Sequence, residues 1–244
     1  MKQKLEGKVA VITGAGSGIG RAAALKLAEE KMNIVLLGGR NADKVNETAK
    51  LVSEYTECLA LAGDLKDEDF LKASVKKIIE VFGGIDALIN NAGIATACPF
   101  EETTREQFDE IMDINVKVPY FLTKEALPYL KKSNSATVIN ISSVVGHLGY
   151  PLQSAYTASK HAVLGFSKSF ANEYYKDNIR THVICPGGVY TDLVKLVRPD
   201  LTGEGMIAPE EIAEIIHFFL ENRGNAVIDE IFVHRVNKEP FQVT

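Results

Sequence analysis

Short apolar runs alternate with longer amphipathic stretches along the chain of 244 residues. The apolar runs are rich in Val and Ile, which is typical of strands buried on both faces, whereas the stretches between them repeat apolar residues at helical spacing. Predicted strands span 8–13, 33–37, 57–62, 85–90, 136–142, 180–185 and 226–234, and predicted helices span 18–31, 42–54, 67–82, 103–132, 153–177 and 209–222. This order predicts an α/β fold: a doubly wound parallel sheet of about seven strands with helices on both faces, a three-layer sandwich.

Composition and charge narrow the class of protein. No linker, repeat or low-complexity tract divides the chain, so a single domain spanning 1–244 is predicted. The net charge of −5, with basic residues scattered among acidic ones, argues against nucleic acid as a partner. No apolar run could span a bilayer and residues 1–8 lack a signal core, so no membrane partner and a cytoplasmic location are expected. Cys58, Cys98 and Cys185 show no metal-ligand spacing, which predicts no metal site.

The first apolar run ends in a glycine-rich turn. Residues 9–13 are apolar and β-branched, Gly14, Gly18 and Gly20 follow, and an amphipathic stretch begins near Arg21. Glycine permits positive φ and close approach of the backbone, and the N–H groups at the start of a helix attract anionic oxygens. A strand, a glycine turn and a helix in this order predict a pyrophosphate site, although the spacing departs from the most common dinucleotide fingerprint.

Tyr156 and Lys160 are four residues apart in a predicted helix, which stacks their side chains on one face. A phenol beside an ammonium can act as an acid–base pair, because a nearby cation favours the phenolate and brings its pKa closer to neutral. By itself this spacing is more typical of a lysine lying over a half-buried ring.

Several short motifs, in one order, connect the glycine turn to this pair. They are Thr13-Gly14 with Gly18-Ile19-Gly20, Asn90-Asn91-Ala92-Gly93, Asn115, Ser143, Tyr156 with Lys160, and 185–191. With Ser143 thirteen residues before Tyr156, the chain resembles the short-chain dehydrogenase/reductase family from Thr13 to Thr191. The resemblance implies a Rossmann-type fold, a nicotinamide cofactor, and hydride transfer that interconverts a ketone and a secondary alcohol.

The resemblance also implies a role for each site residue. Tyr156 would give its proton to the carbonyl oxygen, Ser143 would hold that oxygen, and Lys160 would stabilise the tyrosinate and bond the nicotinamide ribose. Asn115 would hold a water that connects to the lysine; its other reading is a buried amide that bonds a backbone carbonyl. Ser142 is expected to be structural. The implied cofactor contacts are Gly14, Ser17, Gly18, Ile19, Gly20, Arg40, Asp64, Leu65, Asn91, Ala92, Gly93, Tyr156, Lys160, Pro186, Gly187, Val189 and Thr191.

Two of these contacts have alternative readings. Asp64 follows the third predicted strand, where it would accept a bond from the adenine amino group or cap the next helix. Arg40 follows the second predicted strand in a segment without Asp or Glu, and its guanidinium can pair with a 2′-phosphate. NADP is therefore the predicted cofactor. NAD is the alternative, since Ser17 stands where many NADP-dependent relatives carry a basic residue and Arg40 could be a solvated residue at a helix start.

The substrate side is predicted from loops. Residues 188–207 are expected to form a lid, and His147 is expected to be a surface residue. The expected apolar walls are Leu148, Tyr150, Tyr190, Leu193 and Leu196. The segment 227–234 lacks the Asp-Gly-Gly ending common among 3-oxoacyl reductases, which favours a small carbonyl or hydroxy-acid substrate. The alternatives are a 3-oxoacyl-(acyl-carrier-protein) reductase, whose acidic carrier Lys195 and Arg198 could contact, and a non-catalytic NADP-binding redox sensor.

The helices that contain Asn115 and Tyr156 carry small and apolar residues on more than one face, which predicts a partner surface. On the second helix these residues are Ala155, Ala158, Ala162, Val163, Phe166 and Phe170. The family resemblance implies a dimer through these helices, often doubled to a tetramer, so a homo-oligomer is predicted.

Overall fold

The computed structural model describes residues 2–39, 41–197, 200 and 202–238; Arg40 and Arg198 lie outside the described residues. The strands are β1 (Val9–Thr13), β2 (Asn33–Gly38), β3 (Cys58–Ala62), β4 (Ala87–Asn90), β5 (Thr137–Ile141), β6 (Arg180–Pro186) and β7 (Glu230–Val233). In this part of the chain they form one seven-stranded sheet in the order β3-β2-β1-β4-β5-β6-β7, and every neighbouring pair is parallel. The predicted doubly wound sheet is confirmed.

Helices cover both faces of this sheet. They are α1 (Gly18–Glu29), α2 (Ala42–Val52), α3 (Glu68–Phe82), α4 (Arg105–Met112), α5 (Val118–Leu130), α6 (Ser154–Tyr174), α7 (Asp192–Val197) and α8 (Pro209–Glu221). Ala10 and Ile12 of β1 belong to a core formed with α1, α2 and α8. Val9 and Val11 belong to a second core formed with α3, α5 and side chains of α6. Because alternate residues of β1 face opposite cores, the whole strand is apolar.

The helix predicted over 103–132 is confirmed from Arg105 to Leu130, but it is not regular throughout. The chain forms α4, then a π-helical turn at Asp113–Lys117, then α5, which has Pro119 in its first turn. Proline has no N–H for the hydrogen-bond ladder of a continuous helix, and its ring displaces the carbonyl one turn earlier. The π-helical turn contains Asn115, which is buried in the protein interior at 1% exposure.

The strand predicted over 226–234 is also too long, because only Glu230–Val233 pairs with β6. Immediately before it, the Ile228 carbonyl accepts a hydrogen bond from Nδ1 of His182 at 2.6 Å. That carbonyl is thus bonded to a side chain rather than to a neighbouring strand. The helix predicted over 153–177 ends at Tyr174 and continues as a 3₁₀ turn, which Asn178 closes at φ +59°.

Successive strands are added on one side of β1 as far as β3, and then on its other side from β4 to β7, so the strand order switches between the neighbours β1 and β4. In open parallel sheets a crevice forms at such a switch, outside the carboxyl ends of the strands. The turns that follow β1, β4, β5 and β6 all meet at this edge.

Candidate active site

The glycine turn after β1 is shaped for close backbone contact. Gly14 and Gly18 have φ of +67° and +54°, a region that side chains rarely adopt. A Cβ on Gly14 would lie 2.9 Å from Cα of Ala92, and a Cβ on Gly20 would lie 2.5 Å from the Gly14 carbonyl oxygen. Gly20 therefore lets α1 pack against the turn. It does not line the cavity described below.

The N-terminus of α1 leaves its first N–H groups open toward the crevice. Ser17 is the N-cap residue, but its side chain makes no capping hydrogen bond, and the first turn contains no acidic residue. Uncapped N–H groups and the positive end of the helix dipole suit an anion. The turn and helix start thus fit the pyrophosphate of a dinucleotide cofactor.

The turn after β4 is fixed to the glycine turn by Thr13 and Asn91. The Thr13 hydroxyl accepts hydrogen bonds from the N–H groups of Asn91 and Ala92, each at 3.0 Å. The Asn91 amide donates to the carbonyl oxygens of Thr13 at 2.9 Å and Gly14 at 3.3 Å. Thr13, whose role beyond the motif was not predicted, therefore joins β1 to β4 at the crevice.

A cavity of about 370 Å³ runs along this edge of the sheet. It is lined by Gly14, Ser17, Gly18, Ile19, Gly39, Gly63, Asp64, Leu65, Asn91, Ala92, Gly93, Ile94, Ile114, Ile141, Ser142, Ser143, Tyr156, Lys160, Pro186, Gly187, Val189, Thr191, Asp192, Leu193 and Val194. Among the described residues, every predicted cofactor contact except Gly20 is in this set. Asp64 is exposed at its rim and accepts a hydrogen bond from the Lys66 N–H, while Asp67 caps α3 instead.

The two hydroxyls predicted to act on the substrate converge in this cavity. Tyr156, on α6, and Ser143, after β5, both line the cavity, and the nearby Ser143 hydroxyl acts to lower the pKa of the Tyr156 phenol. Ser143 Oγ also donates to the Pro186 carbonyl at 3.3 Å. Ser142 also lines the cavity, but its hydroxyl donates to the Lys160 carbonyl at 3.2 Å.

Lys160 lies one turn after Tyr156 and is 4% exposed. Its Nζ is 5.6 Å from the centroid of the Tyr156 ring and donates to the Ile141 carbonyl at 2.9 Å. Asn115 is held in the π-helical turn by Ile94: its Oδ1 accepts from the Ile94 N–H at 2.8 Å and its Nδ2 donates to the Ile94 carbonyl at 2.9 Å. This contact agrees with the alternative reading of Asn115 as a buried amide that bonds a backbone carbonyl.

Gly93 leaves a small space between Asn115 and Lys160. A Cβ on Gly93 would lie 3.3 Å from Asn115 Oδ1 and 3.6 Å from Lys160 Nζ. An acceptor and a donor therefore approach the same side of Gly93, where a larger residue would crowd both. The proton relay through Asn115 stays a prediction.

Comparison with known proteins decides the family. The short chain dehydrogenase family model matches residues 8–202. The chain belongs to the short-chain dehydrogenase family. It is 40% identical over 184 residues to an uncharacterised oxidoreductase of Thermotoga maritima, covering 75% of this chain and 72% of that protein. It is 32% identical over 239 residues to a 3-oxoacyl-(acyl-carrier-protein) reductase of the same organism, covering 93% and 96%.

Solved structures show the same fold with both nicotinamide cofactors. An alcohol dehydrogenase of Thermococcus sibiricus, complexed with 5-hydroxy-NADP, superposes with a TM-score of 0.87 at 28% identity, covering 96% of this chain and 98% of that one. A 3-ketoacyl-(acyl-carrier-protein) reductase of Brucella melitensis, complexed with NADH, has a TM-score of 0.86 at 27% identity, covering 94% and 97%. This dehydrogenase is an oxidoreductase that acts on CH–OH donors with NAD or NADP. In the described residues no helix is long and apolar enough to cross a membrane.

Burial dominates the electrostatics of the catalytic pair in this dehydrogenase. It raises the pKa of Tyr156 to about 12, and the nearby Ser143 hydroxyl opposes the shift. It lowers the pKa of Lys160 to about 8. The prediction that Lys160 brings the phenol close to neutral is therefore wrong for the chain alone, because the ammonium donates to the Ile141 carbonyl and not to the phenol.

Within the segment 188–207, predicted to be a lid, Thr191 lies beside Gly18 of the glycine turn and α7 follows it. Lys44 of α2 forms a salt bridge of 2.9 Å with Asp192 at the start of α7, which sequence reasoning did not predict. Leu193 lines the cavity as expected. The other four expected walls, Leu148, Tyr150, Tyr190 and Leu196, do not line it. Leu196 is 76% exposed, because α7 presents that side chain to solvent.

His147 is exposed at the surface of the dehydrogenase, which confirms the prediction, but its side chain also contacts β7. Its Nε2 is hydrogen-bonded to Glu230 of β7, and its ring packs edge-on against Phe232 at 4.7 Å. The cysteine spacing also gave no hint that Cys185 would lie beside this pair. These contacts join residues far apart in sequence, and only the fold brings them together.

Proposed function

We propose that this dehydrogenase interconverts a small neutral ketone and its secondary alcohol with NADP(H). The observation that carries the proposal is the convergence of the Tyr156 and Ser143 hydroxyls in a cavity that also holds the glycine turn. When bound, the nicotinamide cofactor supplies or accepts the hydride.

The chain's own residues handle the proton. In the reductive direction the Tyr156 hydroxyl gives its proton to the carbonyl oxygen, and Ser143 donates a hydrogen bond to the same oxygen in place of the Pro186 carbonyl. Lys160 stabilises the resulting tyrosinate and would be one of the residues that hold the nicotinamide ribose. A water between Asn115 and Lys160 returns the proton to the pair, and oxidation of the alcohol reverses each step.

The charges around the cavity favour a neutral substrate over a hydroxy acid. Three charged side chains line the cavity in the described residues. Lys160 belongs to the catalytic pair, Asp64 lies at the end of β3, and Asp192 is paired with Lys44. No lining cation therefore remains to bind a substrate carboxylate in the described part of the chain. Ile94, Ile114, Leu193 and Val194 supply apolar surface instead.

The second candidate is a 3-oxoacyl-(acyl-carrier-protein) reductase, which the identity of 32% over 93% of this chain favours. Initial rates separate the candidates. They are measured with a small neutral ketone, a small keto acid and a 3-oxoacyl thioester, each with NADPH and with NADH. We expect the highest kcat/KM for the neutral ketone with NADPH. A higher value for the thioester would favour the second candidate, and cofactor binding without turnover of any substrate would favour a redox sensor.

The preference for NADP depends on Arg40. No acidic side chain follows β2 before α2 begins, and the relative from Thermococcus sibiricus binds an NADP derivative. Arg40→Ala should weaken NADPH binding by about 1 to 3 kcal/mol, the usual loss for a charge-assisted hydrogen bond, and leave NADH binding nearly unchanged. Fluorescence titration measures both. Equal losses for the two cofactors would assign Arg40 a structural role, and a wild-type preference for NADH would contradict the proposal.

We also propose that the dehydrogenase is a cytoplasmic homo-oligomer assembled through α4, α5 and α6. Phe108 and Tyr120 are 41% and 51% exposed on α4 and α5, and Tyr120 packs edge-on against Phe166 of α6 at 5.9 Å. Aromatic surface of this kind is typical of a covered interface. Light scattering tests the assembly: a mass near the 26.7 kDa of one chain would contradict it. The mass of a dimer would agree with assembly through α4, α5 and α6 and would contradict a tetramer.

A further inference from the structure

Three potential metal ligands meet on one face of the β6–β7 edge, outside the cavity. They are Nε2 of His147, Sγ of Cys185 and a carboxylate oxygen of Glu230, and all three atoms lie within 4.8 Å of one another. Cys185 Sγ is 3.2 Å from Glu230 Oε1, and the same oxygen is hydrogen-bonded to His147. None of the three lines the cavity.

The fold holds these side chains in place from three elements. Glu230 is the register partner of Val183, two residues before Cys185, so Cys185 and Glu230 point to the same face of neighbouring parallel strands. His147 follows the 3₁₀ turn that Ser143 caps, and its ring packs on Phe232, the register partner of Cys185. Two rigid strands and one packed ring therefore fix the donor atoms before any ion binds.

We propose that His147, Cys185 and Glu230 bind one thiophilic divalent transition-metal ion, such as Zn²⁺, with water as the fourth ligand. Nitrogen, sulfur and carboxylate oxygen are the donor types of protein zinc sites, where bonds of about 2.0 to 2.3 Å place tetrahedral ligands about 3 to 4 Å apart. The present separations need only small side-chain rotations to reach that range. This inference is independent of the proposed substrate and cofactor.

The charges balance in such a site. Binding replaces the Cys185 thiol proton, which leaves to solvent, and the thiolate and the Glu230 carboxylate neutralise the two charges of the ion. His147 binds through Nε2 as a neutral ring with its proton on Nδ1. The side chains of His147 and Glu230 are 30% and 21% exposed, which gives an ion a route from solvent, whereas Cys185 is fully buried.

The site lies directly behind the catalytic serine. The Ser142 N–H donates to the Ile184 carbonyl at 2.8 Å and Ser143 Oγ donates to the Pro186 carbonyl at 3.3 Å, so both chain neighbours of Cys185 are bonded to the serine turn. A bound ion would therefore link the Ser143 turn to β6 and β7. It would act as a structural crosslink that stabilises the folded chain, because it binds the native state.

Titration of the untagged, metal-free protein with Co²⁺ tests the proposal by absorption. We expect one ion per chain, with a thiolate-to-cobalt charge-transfer band and the visible bands of a tetrahedral ion, and Zn²⁺ should displace it. His147→Ala, Glu230→Gln and Cys185→Ala should each weaken binding at least about tenfold, and the last should abolish the charge-transfer band. Cys98→Ser and His161→Ala serve as matched controls and should leave binding unchanged.

Absence of a thiolate band at saturating Co²⁺ would overturn the proposal and leave the three residues as a hydrogen-bonded clamp. Unchanged affinity in both His147→Ala and Glu230→Gln would also overturn it. These two variants change partly exposed side chains, so they decide the question even if Cys185→Ala fails to fold. Circular dichroism of each metal-free variant checks its fold.

Discussion

The glycine turn contacts a ligand through main-chain groups, whereas the Tyr156 end of the cavity depends on side chains that arrive from separate elements. At the turn, the open N–H groups of α1 and the close approach of Gly14 to Ala92 create the binding surface. At the other end, Asn115, Ser143 and Lys160 each donate a hydrogen bond to a backbone carbonyl. Substitutions that add side-chain atoms should therefore disrupt the glycine turn. Substitutions that remove polar side-chain atoms should disrupt the Tyr156 end of the cavity.

The two regions also differ in how they affect the stability of the folded chain. The glycine turn buries no ionisable side chain. The other end buries Lys160, whose ammonium loses its hydration and gains one carbonyl partner. Burial lowers the pKa of Lys160 to about 8, and perturbed pKa values of this kind are typical of functional sites.

Removal of the Tyr156 hydroxyl should give the largest effect. Tyr156→Phe deletes the proton donor and keeps the ring, so turnover should fall by about 10² to 10⁴-fold while cofactor affinity stays within a factor of about two. Steady-state rates and NADPH fluorescence measure the two quantities. Retained turnover in this variant would contradict the assignment of Tyr156, and Tyr129→Phe, a change outside the cavity, is the control.

A single methyl group should be enough to break the glycine turn. Gly20→Ala places a Cβ 2.5 Å from the Gly14 carbonyl oxygen and 2.6 Å from Nδ2 of Asn91, so backbone has to move. The free energy of unfolding should fall by about 1 to 3 kcal/mol and cofactor binding should weaken, as for other overpacked sites. Gly84→Ala is the matched control, because a Cβ there meets nothing within 4 Å. Denaturant titration that gives equal stability for both variants would refute this role of Gly20.

The difference between the regions also explains how far the sequence could predict the site. The glycine turn, Asn91 and the pair Tyr156 and Lys160 are local patterns whose residues are close in sequence, and the structure brings them to one cavity. The π-helical turn at Asn115 depends on contacts with Ile94, and the contact of His147 with Glu230 joins residues 83 positions apart. Such contacts exist only after the sheet has formed, so periodicity and spacing give no sign of them. The predicted roles of the individual site residues remain proposals.

The buried ammonium gives a pH-dependent prediction. Burial lowers the folded-state pKa of Lys160 to about 8, below its ordinary value of 10.5. The buried charge therefore destabilises the folded chain in full below pH 8, and this penalty disappears as pH rises toward 10.5. Lys160→Met should therefore raise the free energy of unfolding by about 1 to 3 kcal/mol at pH 7, while turnover is lost. Denaturant titrations at pH 7 and pH 10 measure the gain, which should shrink at the higher pH. A loss of stability at pH 7 would show that the bond to the Ile141 carbonyl outweighs the buried charge.

The smallest effect is expected at the salt bridge between Lys44 and Asp192, which joins α2 to the predicted lid across the glycine turn. Both side chains are at least half exposed, so water and salt weaken their attraction, and the pair should contribute no more than about 1 kcal/mol. Lys44→Gln, Asp192→Asn and the double variant form a cycle in which the dissociation rate of NADPH is measured by stopped-flow fluorescence. We expect each single variant to speed dissociation by up to about fivefold, with no further change in the double variant and no difference among the four proteins at high salt. The same cycle at Glu68 and Lys72, an exposed pair on α3, should leave the rate unchanged. Independent, additive effects at Lys44 and Asp192 would show that the two residues touch the cofactor separately and that the lid is not held through their contact.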